Sequence, residues 1–464
     1  MKRIYIFKII VFLTIIILPI ININLKSDQV SEIDNRNLIE FSEVLSGDFT
    51  TNAEIFIEDR IGFRTKIINA YTHGMDYLFN YMVHPSYQYG KDGYIFSKLS
   101  RESVYSEYQE VYSDYISKVQ DYCEDRNIKF LYAVEPSKLT VYPEYLPNGV
   151  NYQNINLNYF LDLLKQKGVN YIYTGDSLIE AKDEYQVFDK KFDANHWNET
   201  GAIVGISSIL DRLNIMDSNV DKFDINNYSI GTKTNKTLPV SYFPINEETT
   251  VYNLKDTDIR SIDTFNGKIK ISEKHRNFAH YINESNPNAP KILVFAGSYF
   301  NDKHKFLTES FSEFILIHNY ENIFNIDYYI NLFDPDIVLF ESTEYTHNST
   351  YFNIDSMRDI SYNEPLSNYS DLNKTQFTSV EDNFNKNDNG AVTDFSFTLT
   401  NNETLYSYVA IGDRILDCKT ITDDSDKQHI EFSVASSELY NIPKITLYTI
   451  SKDKNQYSEI EINL

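Results

Sequence analysis

The chain has 464 residues and is poor in cysteine, tryptophan and positive charge. Each scarcity excludes something. Its two cysteines, Cys123 and Cys418, permit at most one disulfide. They fall in different parts of the chain, so a bridge between them stays open and two buried thiols are the simpler reading. No Cys/His cluster has zinc-ligand spacing, so no structural metal is expected. Only 42 basic residues stand against 67 acidic ones, for a net charge of −25. Phosphate backbones need a basic surface, and this balance excludes a nucleic-acid partner. A small-x-small cleavage site is also missing after the first apolar run, where Ile21-Asn22-Ile23-Asn24-Leu25 stands instead.

That run extends from Ile4 to Ile23 with Lys8 as its only charge, behind the basic Met1-Lys2-Arg3. It is long enough to cross a bilayer, and the charge bias leaves the N-terminus in the cytoplasm. We read residues 1–27 as an uncleaved signal anchor, with a cleaved signal peptide as the alternative. Either way, residues from about 28 onward lie outside the cytoplasm, on the outer face of the cell membrane.

From there to about residue 355 the pattern is strand, helix, strand, helix, which builds a parallel sheet covered by helices on both faces. Strands are expected at Phe130–Val134, Val169–Tyr173, Lys291–Phe295, Ile315–Ile317 and Asp336–Phe340. Helices are expected at about 103–126, Leu157–Lys167 with Gly168 as C-cap, and Phe306–Phe314. Residues 216–288 are polar and irregular, with extended pieces such as Val240-Ser241-Tyr242-Phe243, and read as an insertion. Residues 356–390, rich in Asn, Asp and Ser, read as a linker. Beyond them, in 391–464, the apolar period falls to two, as in Phe395-Ser396-Phe397-Thr398-Leu399. Short strands of this kind make a small β-sandwich.

The chemistry gathers at Asp193-Ala194-Asn195-His196-Trp197, which holds the only Trp and is followed by a helical apolar face (Ile203, Ile206, Ile209, Leu210, Leu213). An Asp and a His at this spacing form an orienter and a base; they need an exposed Ser on a sharp turn. The most apolar strand, Lys291–Phe295, ends in Ala296-Gly297-Ser298. Gly175-Asp176-Ser177 competes, but its strand is short and half polar, and Ser298 is preferred. The Ser298 amide, with Asn301 nearby, is a candidate donor to an oxyanion.

Taken together, these pieces resemble the circularly permuted SGNH-hydrolase-like proteins that O-acetylate extracellular polysaccharides, the periplasmic alginate O-acetyltransferase type, whose Gram-positive members carry an Asp-His-His-Trp motif. The resemblance covers about residues 30–345. It rests on Asp59-Arg60 with Phe63-Arg64, Gly90–Phe96, Pro136-Ser137-Lys138, Asp193–Trp197 and Gly297-Ser298. Two residues stand between Asp193 and His196 where the family has one. Tyr345 follows Glu344 where the family has Arg. The resemblance implies an acyl-serine on Ser298, His196 as base and Asp193 as orienter. Gly297, Asn301, Trp197, Lys138 and Tyr345 are expected around the oxyanion or substrate. It further implies a polysaccharide acceptor, a polytopic membrane-bound O-acyltransferase as acetyl donor, and no cofactor. Carbohydrate acetylesterase activity and a non-catalytic anchored glycan-binding role remain as alternatives.

Overall fold

The computed structural model describes residues 2–26, 38–45, 48–84, 86–98, 106–239, 243–255, 258–272 and 277–464. Val240–Tyr242 of the extended piece named above lie outside them.

Seven strands form the central sheet, in the order Tyr171–Tyr173, Lys129–Glu135, Ile337–Thr343, Lys291–Phe295, Glu313–His318, Asn277–Asn283, Ile259–Ser261. The first five run parallel and the last two antiparallel. Successive side chains on a strand point to opposite faces, so this sheet has two cores. Phe130, Tyr132, Leu293, Phe295, Val338 and Phe340 pack on one face against Tyr112, Tyr115 and Val119 of the Ser106–Glu124 helix and Phe160 of the Ile155–Gln166 helix. Leu131, Ile292, Val294 and Leu339 pack on the other against Ile206, Ile209, Leu210 and Leu213 of the Glu199–Met216 helix. Apolar strands buried on both sides are the pattern read from the sequence. Gly168 ends its helix at φ +71°, a left-handed conformation that favours glycine.

Two stretches differ from expectation. The expected Phe306–Phe314 helix is a pair of 3₁₀ turns, His304–Phe306 and Thr308–Ser310, and the next strand starts at Glu313. Phe306, Leu307 and Phe311 are all buried, which a short irregular connection achieves and a helix with one polar face does not. Within 216–288, Tyr228–Thr237 and Pro244–Leu254 form a hairpin, whereas Ile259–Ser261 and Asn277–Asn283 extend the main sheet.

The C-terminal part is a seven-stranded antiparallel sheet from Val380–Asp388 to Tyr457–Asn463. Its Arg414–Thr422 strand pairs with Thr404–Ile411 through its first half and with Gln428–Ala435 through its second. The sheet therefore folds over itself, nearly closed, around Phe395, Phe397, Val409, Phe432 and Leu447. The stretch read as linker carries the end of the Ile354–Asp359 helix, the buried Tyr369 and the edge strand Val380–Asp388. Cys123 and Cys418 are free and buried.

A polar clamp joins the two bodies, beside contacts such as Arg414 to the Ile330 and Asn331 carbonyls and Lys270 to Asp394. Arg126 lies over the Tyr122 ring at 3.7 Å and donates twice to Asp417, at 2.7 and 2.9 Å. Tyr122 donates to the same carboxylate at 2.7 Å, and Asn331 Nδ2 donates to the Asp417 carbonyl at 2.8 Å. Removing one member of a buried pair strands the other charge. Asp417→Ala is therefore expected to cost about 3 kcal/mol in urea denaturation followed by circular dichroism. An unchanged midpoint would mean that the clamp adds nothing to the other contacts between the bodies.

Candidate active site

The loop 189–198 enters the Glu199–Met216 helix, whose first turn is capped by the Asn198 side chain accepting from Gly201 N. Asp193 adopts φ +54° and folds back on its own loop: its Oδ1 accepts from Asn195 N at 3.0 Å and His196 N at 3.1 Å. Its Oδ2 lies 2.7 Å from His196 Nδ1. Burial pushes the Asp193 pKa up, but the His196 charge and these hydrogen bonds prevail and hold it below the ordinary value. On the other side of the ring, His196 Nε2 lies 2.8 Å from Ser298 Oγ. Ser298 follows the central Lys291–Phe295 strand, so the three side chains meet at the C-terminal edge of the parallel strands. Ser177 sits on the Gly175–Ala181 helix, where its hydroxyl accepts from Ser208 at 2.9 Å.

Of the other residues expected around the oxyanion or substrate, Tyr345 has its ring 6.3 Å from that of Tyr299, the residue after Ser298. Three others face elsewhere. Lys138 is fully buried and donates to the carbonyls of Ile95, Asp189 and Lys190 at 2.8, 2.5 and 3.1 Å. Burial lowers its pKa to about 8, against the pull of Glu247, Asp193 and Asp189. All three of its donors are committed to backbone, so it is a clamp rather than a substrate contact. Trp197 is buried; its Nε1 donates to the Tyr299 carbonyl at 2.9 Å and its ring lies against Gly205, where a Cβ would come within 2.2 Å of it. It fixes the turn after Ser298. The Gly297 amide donates to Glu341 at 2.8 Å and is not available to an oxyanion. Asn301 ends the Ser298–Phe300 turn, and its Oδ1 accepts from Asn277 at 3.3 Å.

Sequence reasoning gave no role to four supports. Glu247, on the hairpin, accepts from the amides of Lys190, Lys191 and Phe192 at 2.7, 2.9 and 2.5 Å, and so holds the loop that leads to Asp193. The Tyr299 hydroxyl lies 2.8 Å from the Pro136 carbonyl and 2.6 Å from that of Asn195. Glu341 and Glu344 lie in and just after a buried strand. Glu344 accepts from Ser137, Thr140 and Tyr152. Two glutamates inside Ile337-Val338-Leu339-Phe340-Glu341-Ser342-Thr343-Glu344 were a usable signal, because buried carboxyls are rare without a partner. Glu247 left no local signal.

Glu341 has a consequence at high pH. Burial raises its pKa above 4.5, and the fully buried Glu135 beside it is raised too, by burial and then by Glu341. A raised carboxyl supports the fold fully below its unfolded value and loses that contribution as pH rises through the folded value. Glu341→Gln keeps an acceptor for Gly297 N and cannot ionise. Its stability relative to the parent is therefore expected to grow as pH rises from about 5 to 8, measured by urea denaturation. Glu341→Leu leaves the Gly297 amide unpartnered and is expected to lower turnover of an acetyl ester about tenfold to a hundredfold through a displaced Ser298.

Residues 88–236 match the family described as SGNH hydrolase-like domain, acetyltransferase AlgX. That stretch holds Asp193 and His196 and ends before Ser298. Among solved structures, Bacillus cereus PatB1 is similar at 19% identity over 55% of this chain and 95% of its own, with a TM-score of 0.45. The O-acetyltransferase domain of Pseudomonas putida AlgJ is similar at 15% identity over 59% and 99%, TM-score 0.41. Pseudomonas aeruginosa AlgX is similar at 11% identity over 75% and 87%, TM-score 0.37. No curated protein matches the chain. The matched stretch of the α/β body is thus similar to an SGNH hydrolase-like domain of the acetyltransferase type.

Proposed function

We propose that this protein transfers acetyl groups to a polysaccharide outside the cytoplasm, through an acyl-serine on Ser298. The observation that carries this reading is the relay Asp193–His196–Ser298, with spacings of 2.7 and 2.8 Å, at the C-terminal edge of a parallel sheet. In the first half-reaction, His196 Nε2 takes the Ser298 proton as Oγ attacks the donor's acetyl carbonyl. Asp193 stabilises the imidazolium through Nδ1. The oxyanion lies against the Ser298 amide, which has no acceptor among the described residues. The tetrahedral adduct then expels the donor's oxygen, which leaves with the proton from His196. In the second half, His196 deprotonates a sugar hydroxyl, the acetyl group passes to it, and the proton returns to Ser298.

The helix Lys2–Ile21, apolar and exposed, supports an anchor that holds the site on the outer face. A single crossing carries no acetyl group, so the donor is a membrane-bound O-acyltransferase or another activated acetyl ester. Hydrolysis is a second reading, favoured by one observation: the His196 and Asp193 side chains keep 27% and 23% of their surface exposed, so water reaches the relay.

The test is kinetic and covalent. Ser298→Ala and His196→Ala should each lower acetyl transfer to oligosaccharide, or hydrolysis of a model acetyl ester, by about three orders of magnitude or more. The double variant should be little worse than either. Ser177→Ala should leave activity nearly intact. Mass spectrometry after exposure to an activated acetyl donor should find the acetyl group on Ser298. Acetyl on Ser177, or persistent activity without an acetylated serine, would overturn the assignment. Free acetate as the sole product in the presence of oligosaccharide would select the esterase reading.

A further inference from the structure

Large apolar side chains left exposed are unevenly spread. Outside the Lys2–Ile21 helix and the chain just after it, eleven fall between Phe41 and Tyr81, and ten are scattered over all the described residues beyond. The dense stretch includes the helix Arg64–Phe79, 16 residues and about 24 Å long. At 100° per residue, its Ile67, Tyr71, Gly74 and Leu78 fall within an arc of about 60°. Ile67 is 57% exposed, Tyr71 57% and Leu78 68%. Tyr77 flanks this stripe, and Lys66, with the imidazole of His73 near it, lies on the exposed side. In a chain of net charge −25, the helix has no carboxylate before Asp76. A helix with an apolar stripe, aromatics and basic edges suits the headgroup boundary of a bilayer.

The position of this helix says which bilayer. Its start is tied to the exit of the apolar span. Gly62 N donates to the Pro19 carbonyl at 2.9 Å, and a Cβ on Gly62 would lie 2.5 Å from that of Asn22. Asn24 N donates to the Arg60 carbonyl at 2.8 Å, and the Arg60 guanidinium donates to the carbonyls of Asn24 and Lys26. Arg60 itself is buried at 2% exposure, which makes this corner a built joint rather than a loose tether. The corner therefore sits at the membrane surface wherever the span ends.

We infer that the helix Arg64–Phe79 lies in the outer headgroup layer of the membrane that Lys2–Ile21 crosses, with Ile67, Tyr71 and Leu78 at the acyl boundary and Lys66 and His73 toward anionic headgroups. The inference rests on the reading of Lys2–Ile21 as a retained anchor. A helix held in that plane sets the height and orientation of the Ser298 site above the bilayer, where a single anchor alone would leave it free to swing.

The test uses the full chain in phosphatidylethanolamine–phosphatidylglycerol vesicles. Cys123 and Cys418 are buried, so Tyr71→Cys, Leu78→Cys, Phe12→Cys and Tyr440→Cys can each be labelled with an environment-sensitive fluorophore. Lipid-borne nitroxide should quench the label at positions 12, 71 and 78 several-fold more than at 440, and aqueous iodide should do the reverse. Ile67→Glu combined with Leu78→Glu should abolish lipid quenching at position 71 and leave acetyl-ester hydrolysis unchanged. Quenching at 12 with none at 71 and 78 overturns the inference while the anchor stands. No quenching at 12 removes the anchor, and this inference with it. Shielding of 71 that appears only with another membrane protein in the vesicle assigns the stripe to that protein and also overturns it.

Discussion

A buried ammonium group holds the site together. Lys138 has no accessible surface, and its three N–H bonds reach the carbonyls of Ile95, Asp189 and Lys190, which belong to two other parts of the chain. Burying such a charge is costly unless every donor is matched. The matching requires the Ile95–Ser97 strand, the helix that Lys138 begins and the loop before Asp193 to stand in one arrangement. Glu247 fixes the next three amides of that loop from the opposite side. His196 thus meets Ser298, 102 residues away in sequence, because the loop between two clamps has little freedom left to lose on forming the relay.

The Ser298 side of the site depends on a different compromise. The strand Ile337–Thr343 runs through the middle of the sheet and is buried along its whole length, yet it carries Glu341 at its polar end. The cost of burying that carboxyl is offset by the Gly297 amide it receives. Tyr320 closes over the same glycine so tightly that a Cβ there would lie 1.7 Å from its hydroxyl. The turn that aims Ser298 therefore admits only glycine at 297, for reasons of space rather than of backbone angle, since Gly297 itself is extended at φ −100°.

Around this centre the chain places three outer contacts. The hairpin of 228–254 braces the Glu199–Met216 helix as well as the loop, with Glu199 accepting from Tyr252 N at 2.6 Å and from Lys305 at 3.0 Å. The C-terminal sheet is pinned through Asp417 to the helices on one face of the core. The N-terminal helices join the body to the apolar span through Arg60. Each joint is a charged group with several hydrogen-bond partners, which fixes orientation where apolar contact alone would permit sliding.

The sequence alone determined what depends on near neighbours. Asp193 and His196 stand three residues apart at a helix entrance, so their contact follows from local geometry. An apolar strand running into Gly-Ser places a hydroxyl at a sheet edge whatever its surroundings. Period-two alternation and an apolar run of bilayer length read the same way in any fold. Tertiary structure decided what depends on direction and distant partners. Lys138 and Trp197 have the residue types of a substrate pocket, yet they point into the protein, because carbonyls and a glycine from elsewhere in the chain offer them closer packing than solvent does. Gly297 precedes Ser298, but a carboxyl 44 residues later takes its amide. The strand at 259–261 is a polar edge segment, and the strand at 277–283, one place further in, mixes Asn and His with its apolar residues, so neither shows a clean apolar code. Their place in the sheet was set by pairing with Glu313–His318 and with each other, which no local pattern encodes.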